Sequence, residues 1–195
     1  MENQEKMMTG EDSLKIIKEM INKTQVNIRQ GSFHLLFWGW LIVLCSLSEY
    51  LLYKFTNFEE AYLVWLLVIP GVLVSLVYGY IVGRKAKVYT YADMINMWTW
   101  IGFLIAMIIL FVIQSNDMGS VAPYILMLAG LPTFVSGIIL KFRPLVLGGI
   151  SFWLFALLAN FTGPSVSPLA VPLAMLTGYL IPGYMLKRKV DYDSI

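Results

Sequence analysis

Residues 61–83, AYLVWLLVIPGVLVSLVYGYIVG, carry no charged side chain over 23 positions, and Arg84, Lys85 and Lys87 follow at once. A run of about 20 apolar residues is what a helix needs to cross the ~30 Å hydrocarbon core of a bilayer. A basic flank is the charge that stays on the cytoplasmic face. Working outward from this stretch, segments of the same character lie at 34–53, 97–114, 121–140, 144–161 and 168–186. Charged residues make up 13% of the 195-residue chain and hydrophobic ones 58%, with a mean hydropathy of +0.72. A soluble domain keeps roughly a quarter of its residues charged. The expected fold class is therefore all-α membrane, a six-transmembrane-helix bundle preceded by a cytoplasmic amphipathic helix.

The basic residues fix an orientation. Lys6, Lys15, Lys18, Lys23 and Arg29 precede the first span, Arg84, Lys85 and Lys87 follow the second, Lys141 and Arg143 follow the fourth, and Lys187, Arg188 and Lys189 follow the sixth. All of these fall on one face if the spans alternate, and Lys54 alone falls on the other. Such asymmetry predicts a multi-pass protein of the inner (plasma) membrane with both termini cytoplasmic. Residues 1–33 are expected as a cytoplasmic tail, 34–186 as the membrane domain and 187–195 as a basic tail. The first 30 residues are polar and lack the apolar core of a cleavable signal peptide.

Within the tail, Leu14, Ile17, Ile21, Thr24 and Ile28 recur at three- and four-residue spacing, with Lys15, Lys18, Glu19, Lys23 and Arg29 on other faces. That is the period of an amphipathic helix. Thr9 and Asp12 suit its start, and Gly31 its stop. Its mixed charge fits the membrane surface, a second copy of the chain or a cytoplasmic protein. Leu14, Ile17, Ile21 and Ile28, with the cluster Arg84, Lys85 and Lys87, are the expected partner or lipid contacts.

In lipid, helices approach closely where small residues recur every four positions. The second span offers Gly71, Ser75, Gly79 and Gly83, the fourth Ala129, Thr133 and Gly137, and the sixth Ala170, Ala174 and Gly178. The even spans are thus expected to make the close contacts and the odd ones to face lipid. Pro70, Pro132 and Pro182 lie in the same three spans and are expected to kink them. Ile69-Pro-Gly71 matches Ile181-Pro-Gly183, and Met127-Leu-Ala-Gly130 resembles Met175-Leu-Thr-Gly178, a pattern compatible with repeated helical hairpins.

Ionisable groups within the bilayer are costly and mark candidate functional positions. Glu49, near the outer end of the first span, is the clearest, as a ligand or ion contact or as an interfacial carboxylate pairing with Lys54. Gln114 and Asn160, at the outer ends of the third and fifth spans, are the other candidate ligand contacts. His34 is the one histidine and Cys45 the one cysteine, so no His-Glu-x-x-His or paired-cysteine metal site can be built. Phosphate loops and Gly-x-Ser-x-Gly elbows are absent. The sequence is read as non-enzymatic, without cofactor or metal, and its short basic loops are unsuited to nucleic acid.

Four stretches, Ser13-Leu-Lys-Ile-Ile-Lys-Glu-Met20, Gly31-Ser-Phe33, Phe37-Trp-Gly-Trp40 and Ile69-Pro-Gly71, resemble those of a family of small, uncharacterised six-helix bacterial inner-membrane proteins. The resemblance spans the whole chain and implies no active residues. The expected function is a non-enzymatic membrane sensor or scaffold engaging a cytoplasmic partner or a second copy. The alternative is a membrane subunit of a transporter, permease-like or substrate-binding, needing a separate ATPase.

Overall fold

In the computed structural model, residues 10–56, 60–84, 91–114, 121–162 and 167–193 are described; they are almost wholly helical and contain no strand. The elements are α1 (Gly10–Thr56), a 3-10 turn (Ala61–Leu67) leading into α2 (Val68–Gly83), α3 (Tyr91–Ile113), α4 (Ala122–Ile139), α5 (Arg143–Phe161), α6 (Ser167–Met175), a π-helical turn (Leu176–Leu180) and α7 (Ile181–Asp193). Six stretches are long and apolar enough to span a membrane: Gly31–Thr56, Ala61–Ile81, Tyr91–Ile113, Ala122–Ile139, Arg143–Phe161 and Leu169–Arg188. The chain is thus a multi-pass membrane protein.

α1 corrects the expected break at Gly31, since the backbone stays helical through all 47 residues. Among the described residues no glycine has a positive φ, so Gly31 is not a left-handed helix stop. It sits under Leu186 instead, where a Cβ would lie 3.4 Å from Leu186 Cδ2. Thr9, the expected cap, lies outside the described residues.

The spans neighbour one another in the order α2, α1, sixth span, α5, α4, α3. The sixth span (α6, π turn and α7) is the centre, with 61% of its most apolar 18-residue window buried against none in α3. The core reflects this: Phe152, Leu126 and Leu145 are enclosed together with Ala170, Ala174, Tyr179, Leu180 and Leu186.

The expected division into packed even spans and lipid-facing odd ones is corrected. α4 and the sixth span do pack through their small residues: Ala129, Thr133, Gly137, Ala170, Ala174 and Gly178 are all buried. The odd helix α5 packs as tightly. A Cβ on Gly148 would stand 2.7 Å from the Gly178 carbonyl oxygen, and one on Gly149 2.7 Å from the Phe134 backbone nitrogen. α1 joins through Gly39, where a Cβ would stand 2.7 Å from Leu180. α2, by contrast, uses only part of its stripe. Gly71 is buried against Leu41, whereas nothing lies within 4 Å of a Cβ on Gly79; the surroundings of Gly83 lie outside the described residues. At 3.6 residues per turn, each step of four overshoots by about 40°. Four successive small residues therefore wrap around the helix, and one neighbour cannot meet them all.

The prolines are also placed differently. Pro70 is the third residue of α2, in the first turn where its missing N–H costs nothing. Pro182 is the second residue of α7, directly after the π turn. Pro132 alone of the three is interior to an α-helix, and it is buried. Both Ile-Pro-Gly motifs thus open an α-helix after a turn of another winding. Their glycines meet α1, Gly71 at Leu41 and Gly183 at Leu35 and Leu36. This common docking on α1 gives the matching triplets a packing reason.

α4 and α5 are joined by a tight reversal. Phe142 N–H donates to Gly137 O and Lys141 N–H to Ile138 O, at 2.9 and 3.0 Å, with Lys141 at φ 51°. This is a Schellman closure, in which glycine normally takes the left-handed position. Lys141→Gly is expected to raise stability by about 1 kcal/mol, read as a higher thermal midpoint in detergent.

Candidate functional site

Indole donors tie the helices together. Trp38 Nε1–H donates to Ser75 Oγ (2.9 Å), Trp40 to Tyr184 Oη (3.2 Å), Trp65 to Glu49 Oε2 (2.8 Å), Trp100 to Ser136 Oγ (3.2 Å) and Trp153 to the Met127 carbonyl (3.1 Å). Each bond joins two different elements. In a low-dielectric surround, an unmet N–H is costly, so such bonds fix which helices meet. Nothing in the sequence indicated the partners of these indoles. The carbonyl or hydroxyl that each would find depends on the neighbour order.

Glu49 is the most strongly placed of the candidate ligand residues. It is half-buried, and its partner is Trp65 rather than Lys54, which instead donates to Tyr50 Oη at 3.1 Å and lies over the Tyr50 ring. One helical turn earlier on α1, the buried Cys45 thiol points at the Val64 carbonyl, 3.6 Å away. Two side chains one turn apart thereby bind α1 to the 3-10 turn. Trp65→Phe removes the donor and is expected to cost about 1–2 kcal/mol, whereas Glu49→Gln keeps an acceptor and is expected to cost less. Thermal midpoints of the two variants in one detergent check the order.

Gln114 follows the end of α3, its N–H bonded to the Leu110 carbonyl, and Asn160 is exposed in the last turn of α5. Among the described residues no hydrogen bond joins either to Glu49. The three candidates therefore do not form one constellation. Arg84 is exposed, with its guanidinium 4.8 Å from the Tyr80 ring centre. Lys85 and Lys87 lie outside the described residues, as do the side chains of Leu14, Ile17, Ile21 and Ile28, whose backbone is helical.

Two further polar seams were not legible. Ser136 Oγ–H donates to Asn96 Oδ1 at 2.6 Å while accepting from Trp100, which ties α3 to α4. α3 has no buried residue, so Ser136→Ala is expected to loosen it, at about 1 kcal/mol; faster cysteine labelling at position 103 is the readout. At the centre, Thr133 Oγ1–H bonds the Ala129 carbonyl at 2.8 Å and lies 3.4 Å from Tyr179 Oη, on the π turn. Ser151 and Thr177 pair at 3.1 Å between α5 and the same turn. Together these place hydroxyls where a regular ladder is interrupted.

Compared with protein-family models, with curated proteins and with solved structures, the chain finds no match in any of the three.

Proposed function

We propose that the protein is a non-catalytic membrane scaffold or sensor of a bacterial inner membrane, with both termini cytoplasmic, whose N-terminal helix engages a cytoplasmic partner. The carrying observation is the uninterrupted α1. Its residues 10–30 precede the first span and, at 1.5 Å per residue, project about 31 Å from it. A stiff rod continuous with a packed span conveys tilt or displacement in either direction, which a hinged tail cannot do. The apolar positions Leu14, Ile17, Ile21 and Ile28 supply a docking face at helical spacing. The basic residues gathered at that end support the cytoplasmic orientation.

The filled bundle centre favours this reading over a transport subunit: Phe152, Leu126 and Leu145 are at most 1% exposed, and Glu49 is engaged by Trp65. A photo-crosslinking residue at position 21, in cells, is the test. The expected result is one discrete adduct, lost in Ile17→Asp and in a variant with a flexible four-residue insert after residue 30. An adduct of twice the chain mass makes the partner a second copy. Adducts to lipid alone, unaffected by either change, refute the reading.

A further inference from the structure

The last two turns of the sixth span border a recess of about 530 Å³, lined by Ile181, Tyr184, Met185, Lys187 and Arg188 of α7. All five side chains are exposed, whereas Pro182, Gly183 and Leu186 between them are buried. α7 thus turns one face onto α1, with Gly183 at Leu36 and Leu186 over Gly31, and gives the other to the recess.

The recess is graded in polarity. Ile181 and Met185 lie within the span, and Arg188 is its final residue. Ile181 and Arg188 are separated by about 10 Å along the axis, inside the ~15 Å depth of half a bilayer core. Tyr184, Lys187 and Arg188 stand at three- and four-residue spacing, so they share one side of the helix. The Tyr184 hydroxyl is fixed in place, because Trp40 Nε1–H of α1 donates to its oxygen at 3.2 Å. Among the described residues nothing accepts the hydroxyl's own proton, and none forms an ion pair or hydrogen bond with Lys187 or Arg188. A bond received by the phenol oxygen strengthens the bond it gives. The lining therefore holds a placed O–H donor and two cations, and it includes no acidic side chain.

We infer that this recess binds the headgroup of one anionic phospholipid from the leaflet at that end. The lipid phosphate accepts from the Tyr184 O–H, Lys187 and Arg188 neutralise its charge, and the start of an acyl chain rests on Ile181 and Met185. Charge complementarity identifies the occupant. Two cations beside a neutral donor suit a phosphodiester with net negative charge, and a choline cation would be repelled by them. The apolar part of the lining favours a lipid over a soluble phosphate. The site is separate from any partner of residues 10–30.

Native mass spectrometry of the full-length protein in detergent, titrated with phosphatidylglycerol or phosphatidylcholine, tests the site. One phosphatidylglycerol is expected to stay bound at collision energies that strip phosphatidylcholine. The Lys187→Gln/Arg188→Gln pair is expected to lower its affinity about thirtyfold, to the level of phosphatidylcholine. Tyr184→Phe weakens both lipids alike, since both carry the phosphate. Ile181→Trp fills the apolar part and loses phosphatidylglycerol. Every substituted side chain is exposed, so the variants are expected to keep the wild-type thermal midpoint in lipid-free detergent. Arg84→Gln, which removes an exposed cation beyond α2, retains the lipid as the wild type does. Equal retention of the two lipids by the wild type overturns the proposal. A loss in Arg84→Gln as large as in the pair does so too, because the attraction would then be diffuse. Displacement by inorganic phosphate also overturns it, since the cations would then form a phosphate site without a lipid.

Discussion

Gly148→Val is expected to prevent the bundle from assembling, while Gly79→Ala leaves it intact. A side chain at 148 would meet the Gly178 carbonyl at 2.7 Å and the Gly178 Cα at 3.0 Å. Backbone of the central span cannot swing aside as a flexible side chain can. Pro182 also withdraws the N–H that an α-helix would offer that carbonyl, so the close approach falls where the ladder is already rewound into a π turn. Overpacking typically costs 1–3 kcal/mol when a core can adjust. A β-branched residue against fixed backbone is expected to exceed about 3 kcal/mol, a large part of a marginal stability. Gly79 meets nothing within 4 Å, so alanine there is expected to shift stability by less than about 0.5 kcal/mol, or to raise it through helix propensity. Membrane accumulation and the thermal midpoint in detergent distinguish the pair.

Phe152→Ala is the second large effect, expected at about 3–5 kcal/mol. The side chain has no exposure, and its ring meets the Tyr179 ring edge-on, at 5.2 Å and 87°. An aromatic pair of this geometry adds about 0.5–1.5 kcal/mol beyond burial. The space it occupies is the space Gly178 leaves: a Cβ at 178 would lie 2.7 Å from the ring. Gly178→Ala alone is therefore expected to destabilise, and to destabilise less when Phe152→Leu is present. A double-mutant cycle should return a coupling of about 1–2 kcal/mol. Additive effects would mean that the two positions do not share that space.

The membrane spans were legible because hydrophobic length is a one-dimensional property. A run such as 61–83 declares itself without reference to any neighbour, and the same holds for the other five. What was not legible depends on which helix lies beside which. Gly148 and Gly149 are adjacent in α5 rather than four apart, so a search for four-residue spacing passes over them. One serves the sixth span and the other α4. Gly71 to Gly83 satisfies that spacing and is used in part. Pro70 and Pro182 read as interior kinks because the windings before them, 3-10 and π, are hidden inside continuous apolar runs. For the candidate site, Glu49 stood out by its charge, but its indole partner sits sixteen residues away across a turn. Gln114 and Asn160 shared only a membrane depth with it.

The location of the sixth span at the centre of the bundle has a consequence for biogenesis. The surface that covers Gly31, Gly39 and Leu35 is made of Tyr179, Leu180, Gly183 and Leu186, which are synthesised after α1 and the four helices α2–α5. Until these arrive, α2 and α3 are held at the margins and the apolar interior stays open to lipid. Closure is a long-range event that waits for the sixth span. A chain that stops before residue 176 lacks the residues that cover α1 and is expected not to accumulate in the membrane.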